Sequence, residues 1–78
     1  IGEGKVEALQ FRVACDSKVC DKTLRDLNTK PGILILCILR KNEIIFPGGD
    51  DKIQGNDRVI IVTTEPNFQD IADILQEG

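Results

Sequence analysis

Arg40 is the residue of this chain with the clearest capacity to bind a ligand, because it closes a long apolar run just before a polar turn. A guanidinium can hold a phosphate group through two parallel hydrogen bonds, so Arg40 is a candidate for binding the phosphate of a ligand. Asn42 adds a side-chain amide two positions later. The alternative is structural: Arg40 forms an ion pair with Glu43 or with an acidic residue of a partner molecule.

Apolar residues flank Arg40 on both sides and could line a cleft that sandwiches a flat ring such as adenine. The same residues could instead pack in the core or in a dry seam between two copies of the chain. The sequence therefore predicts one candidate ligand site, formed by Ile35, Leu36, Arg40, Asn42, Ile44 and Pro47.

Catalysis has little support in the sequence. The chain has no His, which removes the usual general base and the usual partner of a Cys or Ser nucleophile. Asp50, Asp51 and Asp57 form an acidic stretch, but calcium needs more oxygen ligands at regular spacing, so turn and cap chemistry is expected there. We predict neither an enzyme nor a metal site.

Three cysteines leave no complete zinc ligand set. Cys37 lies inside the apolar run and is expected to pack in the core as a small residue. Cys15 and Cys20 are expected to be a reduced pair of the kind found in the cytosol. The alternative is a disulfide or a redox-responsive pair.

Length and charge narrow the class of protein. At 78 residues the chain is one small domain, with residues 1–4 expected to be a linker remnant and residues 5–78 the domain; a start at Ile1 suggests a piece of a longer protein. The net charge is −3 and the ten Lys and Arg residues are scattered, so nucleic acid and anionic membrane surfaces are not expected as partners. No apolar run approaches the roughly 18–20 residues of a membrane helix, so direct membrane insertion is not expected either.

Periodicity predicts the order β-α-β-β-β-α. Strands are expected over 5–14, 33–39, 43–46 and 58–63, and the first contains a change of phase that a bulge, or burial on both sides, would explain. Lys41 and Asn42 form the turn after the central strand; a two-residue type I′ turn would need positive φ at both, which suits Asn42 better than Lys41, so a slightly longer loop is the alternative. Ile53 is expected to anchor the following loop in the core.

Two helices are predicted from apolar residues at helical spacing. The first has Asp21 as its N-cap and places Cys20, Leu24 and Leu27 on one side. The second starts near Pro66 and places an apolar stripe at i, i+3, i+4 and i+7, formed by Phe68, Ile71, Ala72 and Leu75.

These elements predict an α+β sandwich, a small antiparallel or mixed sheet with two helices on one side. The strand over 33–39 is apolar at every position, so both of its faces require burial. Because two short helices cover only one face of four strands, we expect a second copy of the chain to bury the other face, giving a homodimer.

Several motifs follow one another in a recognisable order: Glu7–Val13, Ser17 with Lys22–Leu27, Ile38–Arg40, Glu43–Pro47, Gly49–Asp50 and Asn56–Val59. In this order and spacing they resemble the C-terminal domain of the TrkA/RCK proteins, the regulatory modules of potassium transporters and channels. Two positions depart from the pattern of that family. Lys41-Asn42 replaces a turn that usually ends in Gly, and Asn56 replaces another Gly, where Asn is the best substitute for a left-handed conformation.

The resemblance implies a cytoplasmic regulatory domain, peripheral to the membrane through its partner, and not an enzyme. It implies a homodimer that acts on a membrane potassium or cation transporter subunit, with a small ligand such as cyclic di-AMP in the dimer cleft; two copies of Arg40 would then clamp a two-fold symmetric diester. It implies no cofactor in this domain, with NAD or ATP bound by a preceding nucleotide-binding domain. The alternative is a dimerisation module without a ligand, in a transporter or an accessory protein.

Overall fold

A computed structural model of the chain describes residues 5–65 and 67–76. Its framework is one four-stranded sheet, and its strands are β1 (Glu7–Arg12), β2 (Ile33–Arg40), β3 (Glu43–Ile45) and β4 (Arg58–Thr63). The strand order is β1-β4-β2-β3, and every neighbouring pair is antiparallel. The predicted four-stranded sheet is therefore confirmed, and of the two expected arrangements it is the antiparallel one.

A β-bulge in β2 explains how a continuous apolar run serves a two-sided sheet. The register with β4 shifts between Ile35 and Cys37, so Leu36 is an extra residue in β2. Before the bulge Ile35 lies opposite Ile61, and after it Ile38 lies opposite Val59. The bulge thus moves the core-facing positions from odd to even numbers along β2.

The phase change predicted for the first strand does not reflect a bulge. Pairing between β1 and β4 is continuous from Glu7–Thr63 to Arg12–Arg58. Leu9 and Phe11 follow the core-facing side, whereas Ala8 lies on the other side of the sheet. The apparent slip in the sequence therefore came from apolar residues on both faces of a regular strand.

The turn between β2 and β3 has two residues, because Arg40 and Glu43 are the last paired positions. Lys41 has a φ of 55°, whereas Asn42 does not have a positive φ. Positive φ at the first loop residue alone is the pattern of a type II′ turn, where Gly is preferred. The turn is therefore neither the type I′ turn nor the longer loop that the sequence analysis considered. Asn56 does adopt the left-handed conformation expected for it, with a φ of 71°.

The two predicted α-helices are absent from the described residues. Three 3₁₀ turns stand in their place: η1 (Lys18–Cys20), η2 (Leu24–Asp26) and η3 (Ile71–Ile74). Asp21, the predicted N-cap, lies at the end of η1, whereas Ser17 caps its start by accepting a hydrogen bond from Val19 N–H. Pro66, the predicted start of the second helix, lies outside the described residues.

Competing backbone partners explain why the first helix does not form. The N–H groups of Leu24 and Arg25 donate to the carbonyl oxygens of Asp51 and Gly49, at 2.9 and 2.8 Å. In a helix capped by Asp21, Arg25 N–H would bond to the Asp21 carbonyl, and its bond to the distant loop replaces that helical bond. The apolar spacing was still informative, because Cys20, Leu24 and Leu27 all pack against the core.

The second helix is stopped in the same way. Asp70 and Asp73 form a capping box around the start of η3. After one turn the chain becomes extended: the Ile74 carbonyl accepts from Lys30 N–H at 2.8 Å, and Gln76 N–H donates to the Asn28 carbonyl at 2.7 Å. No described helix is long and apolar enough to cross a membrane.

One side of the sheet carries the core. Its fully buried members are Val13, Val19, Ile38, Ile53, Val59, Ile61, Ile71 and Ile74. The prediction for Ile53 is confirmed, since it anchors the long loop in this core. Cys37 is buried as predicted, but its register with Ile60 places it on the other side of the sheet.

Candidate functional site

Arg40 makes a two-point ion pair inside the chain. Its Nε donates to Asp57 Oδ1 at 2.9 Å, and its Nη2 donates to Asp57 Oδ2, also at 2.9 Å. Nη2 also donates to the carbonyl oxygen of Lys52 at 3.0 Å. Arg40 therefore forms an ion pair, as the alternative to phosphate binding predicted, but its partner is Asp57 of the same chain rather than Glu43 or an acidic residue of a partner molecule.

Asp57 is buried, with 1% of its surface exposed. Besides Arg40, its Oδ2 accepts from the N–H of Gln54 at 2.8 Å. The backbone around it is also held, because Val13 N–H donates to the Asp57 carbonyl and Asn56 N–H donates to the Val13 carbonyl, both at 2.8 Å. The loop before β4 is thus fixed between the ends of β1 and β2.

The electrostatics of this pair are mutually dependent. The hydrogen bond to Asp57 raises the pKa of Arg40, so the guanidinium stays charged. A buried carboxylate without a partner would cost several kcal/mol, which makes Arg40 the group that permits Asp57 to be buried. Asp57 therefore stabilises the loop before β4, in agreement with the prediction of turn and cap chemistry for the acidic stretch.

One nitrogen of the Arg40 guanidinium is not used by these bonds. Nη1 has no hydrogen-bond partner among the described residues, and the arginine side chain as a whole is 25% exposed. Arg40 borders a cleft of about 300 Å³, whose other walls include Lys41, Glu43 and Asn56. Nη1 is therefore the group of Arg40 that a further partner could contact without breaking the bonds to Asp57, and in this cleft Lys41 favours an anion whereas Glu43 opposes it.

The other predicted site residues do not join Arg40 within one chain. Ile35 and Pro47 line a separate cleft of about 240 Å³. Leu36 and Ile44 are exposed on the far side of the sheet, by 44% and 64% of their surface. Asn42 is exposed in the turn. A site built from all six would need contributions from more than one molecule or a change of conformation.

Arg25 is a functional candidate that the sequence analysis missed. It lines the cleft with Ile35 and Pro47 and forms an exposed ion pair with Asp50. A Cβ added at Gly49 would lie 3.0 Å from Arg25 Nη2, so this glycine provides the space for the guanidinium. In the sequence, the glycine pair followed by two aspartates indicates room for a cation beside a carboxylate. Only the tertiary structure shows that this cation is Arg25.

The cysteine pair has the features of ordinary thiols. Cys15 is exposed, Cys20 is partly buried, and all three cysteines are free. Burial raises the pKa of the Cys20 thiol, and the negative charges of Asp57 and Asp21 raise it further. A raised pKa lowers the thiolate fraction and with it the reactivity of the sulfur.

The side of the sheet opposite the core leaves large apolar side chains exposed. We call it the open face; by register its strand positions are Ala8, Gln10, Arg12, Leu34, Cys37, Leu39, Ile44, Arg58, Ile60 and Val62, with Leu36 at the bulge. Leu34 is 58% exposed here, and Phe46, just beyond β3, is 76% exposed. An apolar surface of this kind is typical of a face that another molecule covers.

Comparison with known proteins gives a consistent result. Residues 8–76 match the family described as the TrkA-C domain. A Trk system potassium uptake protein trkA homolog 1 of Methanosarcina mazei is 31% identical over 73 residues, which are 94% of this chain and 18% of that protein. A Trk system potassium uptake protein TrkA homolog of Archaeoglobus fulgidus is 37% identical over 60 residues, 77% of this chain and 14% of that protein. The chain thus spans less than a fifth of the length of these relatives.

A solved structure described as an RCK domain with cda has a similar fold. The TM-score is 0.70 with 23% sequence identity, and the match covers 88% of this chain and 97% of that chain. At this identity the likeness establishes the fold alone.

Proposed function

This chain belongs to the TrkA-C domain family, and we propose that it is a regulatory domain of a potassium uptake system, or of a related cation transporter, that dimerises and senses a small ligand. In this proposal residues 5–78 form the domain and residues 1–4 are a linker remnant. The domain acts in the cytoplasm on a membrane transporter subunit and has no enzymatic activity. The observation that carries the proposal is the family match over nearly the whole described chain.

Dimerisation is supported by the β2–β3 side of the open face. Leu34, Leu36, Ile44 and Phe46 are all large apolar side chains with substantial exposure. A domain of this length buries only about 60% of its unfolded surface, so covering these residues stabilises it appreciably. We infer that a second copy packs its own β2–β3 hairpin against this side.

The ligand proposal deepens the same arrangement. Two hairpins that meet around a two-fold axis would present two copies of Arg40, Asn42 and Ile44 to a shared cleft. Each Arg40 would offer Nη1 to one phosphate, and the apolar residues would contact the bases. A two-fold symmetric cyclic dinucleotide such as cyclic di-AMP has the matching chemistry.

Melting temperature tests the ligand proposal directly. The domain is melted at fixed protein concentration, alone and with cyclic di-AMP, ATP or AMP. A ligand at 100 times its dissociation constant stabilises the folded state by about 2.7 kcal/mol. We expect a rise with cyclic di-AMP alone, and no rise with any of the three would refute a nucleotide site.

Ile44→Ser is a better site variant than Arg40→Ala. Ile44 is exposed in the single chain, so its replacement should not unfold the domain, whereas loss of Arg40 leaves Asp57 unpaired. We expect Ile44→Ser to weaken both dimerisation and nucleotide binding. Val6→Ser is a matched control, since Val6 is equally exposed and lies before β1, away from the hairpin.

A ligand-free dimerisation module is the second candidate function. It is favoured by the engagement of Arg40 with Asp57 and by the separation of Ile35 and Pro47 from it. In that case sedimentation velocity would detect a dimer, and its stability would depend on protein concentration but not on nucleotide. Concentration dependence combined with a nucleotide shift would decide for the ligand-sensing domain.

A further inference from the structure

Two arginines lie directly opposite each other on the open face. Arg12 of β1 and Arg58 of β4 are paired in register, and both are exposed. Like charges at directly opposed positions of neighbouring strands are destabilising. Neither arginine forms an ion pair with another described residue, since those pairs are Arg25–Asp50 and Arg40–Asp57.

The described strand positions around this pair carry no compensating negative charge. Within the four strands, the acidic residues are Glu7 and Glu43, and their registers with Thr63 and Arg40 place them on the core side of the sheet. The strand positions of the open face therefore include two arginines and no carboxylate. This contrasts with the net charge of −3 for the chain as a whole.

The shape of this region favours an extended protein partner over a small ligand. Small-molecule sites are concave, and none of the clefts described above is lined by Arg12 or Arg58. Apolar neighbours lie beside the pair instead: Leu39 is next to Arg58 in register, and Ile60 follows it on the same face of β4. Two cations beside apolar side chains, outside these clefts, match an amphipathic segment.

The open face of a second copy does not complement the pair. A two-fold contact between two open faces would set guanidinium groups against other guanidinium groups, Gln10 or apolar side chains, because the described strand positions of that face include no carboxylate. The proposed dimer uses the β2–β3 side of the face, whereas Arg12 and Arg58 lie on its β1–β4 side. The two arginines therefore lie outside the proposed dimer surface, and Leu39, which is paired with Ile44 on one side and Arg58 on the other, marks the border between the two regions.

We propose that Arg12, Arg58, Leu39 and Ile60 form a docking surface for an acidic amphipathic segment of another protein. Two carboxylates of that segment meet the two guanidinium groups, and an apolar side chain packs on Leu39 and Ile60. The repulsion between the two arginines lowers the stability of the free domain. Binding of the carboxylates removes this repulsion, so the complex is stabilised.

Two synthetic peptides test the proposal. Both are amphipathic, with leucines at i and i+4; glutamates flank the leucines in one, and lysines replace every glutamate in the other. Binding is measured by fluorescence anisotropy with the native chain, with the double variant Arg12→Gln/Arg58→Gln, and with Lys22→Gln, an exposed cation outside the strands, as the control. We expect the glutamate peptide to bind the native chain, the double variant to weaken binding about tenfold, and Lys22→Gln to leave the affinity unchanged.

Other outcomes would overturn the proposal. Equal affinity for the two peptides, or equal affinity of the native chain and the double variant, would exclude charge recognition at this surface. Inorganic pyrophosphate that displaces the peptide at comparable concentration would instead assign a phosphate ligand to the pair. Loss of self-association in the double variant, measured by sedimentation velocity, would assign the surface to a second copy.

A measurement without any peptide checks the premise. Because the paired arginines repel each other, Arg12→Gln and Arg58→Gln should each raise the melting temperature of the free domain. A fall in both would show that the arginines stabilise the single chain and would remove the reason to seek a partner.

Discussion

Removal of the Arg40 side chain should destabilise the domain severely, because it leaves the carboxylate of Asp57 buried with one donor among the described residues, the N–H of Gln54. Loss of one partner of a buried ion pair costs about 3–5 kcal/mol. Arg40 is 25% exposed, so water can partly replace it, and we expect the lower end, about 3 kcal/mol, for Arg40→Ala. For a domain of this size that corresponds to a fall of about 12–24 °C in melting temperature.

The assay is urea denaturation followed by far-ultraviolet circular dichroism, since the chain has no Trp or Tyr for fluorescence. The matched control is Arg25→Ala, which removes an exposed ion pair with Asp50 and should change the free energy of unfolding by less than about 1 kcal/mol. A second variant, Arg40→Met/Asp57→Leu, should recover much of the loss, because no charge is then buried without a partner. If Arg40→Ala costs no more than Arg25→Ala, the reasoning about the buried carboxylate is wrong.

Three smaller predictions follow from the turns and caps. Lys41→Gly should raise the free energy of unfolding by about 1 kcal/mol in urea denaturation, because it removes a side chain from a positive-φ position; no gain would contradict the II′ turn. Gly55→Ala should lower the melting temperature, since the added Cβ would lie 2.7 Å from Cys15 Cα. An unchanged melting temperature would show that the loop moves to accommodate the Cβ without loss of stability. Asp73 accepts two backbone N–H bonds, which lower its pKa below the ordinary 3.8, so its stabilising effect is present above that pH and is lost as the pH falls through the lowered value. The melting temperatures of the native chain and Asp73→Asn should accordingly converge in strong acid, and a constant difference would refute the cap.

Strand positions could be predicted well because they depend on local residue types. The predicted β4 agrees with the observed Arg58–Thr63, and β2 extends by one residue to Arg40. The helices could not be predicted in this way. Apolar spacing indicates which residues are buried, and it did so correctly for Leu24 and Ile71, but it does not determine the backbone conformation. What decided the backbone conformation was the set of partners offered by distant loops, which no local pattern contains.

The candidate site was predictable only one residue at a time. An arginine at the end of an apolar strand signalled a special role, but its partner Asp57 lies on the far side of a long loop. The opposed arginines were equally invisible, since their pairing exists only through the register of β1 with β4. Residue types reveal which groups can act, whereas strand pairing determines which groups act together.

The strand order also has a consequence for how the chain folds. β4 is the last strand in the sequence, yet it lies between β1 and β2. Glu7 therefore cannot form its strand pairing until Thr63, more than fifty residues later, is in place. Only the β2–β3 hairpin closes early, and contacts of such long sequence separation place folding in the millisecond-to-second range. On the ribosome the first strand must therefore stay unpaired until nearly the entire domain has been synthesised, which makes its apolar residues the ones most in need of protection during translation.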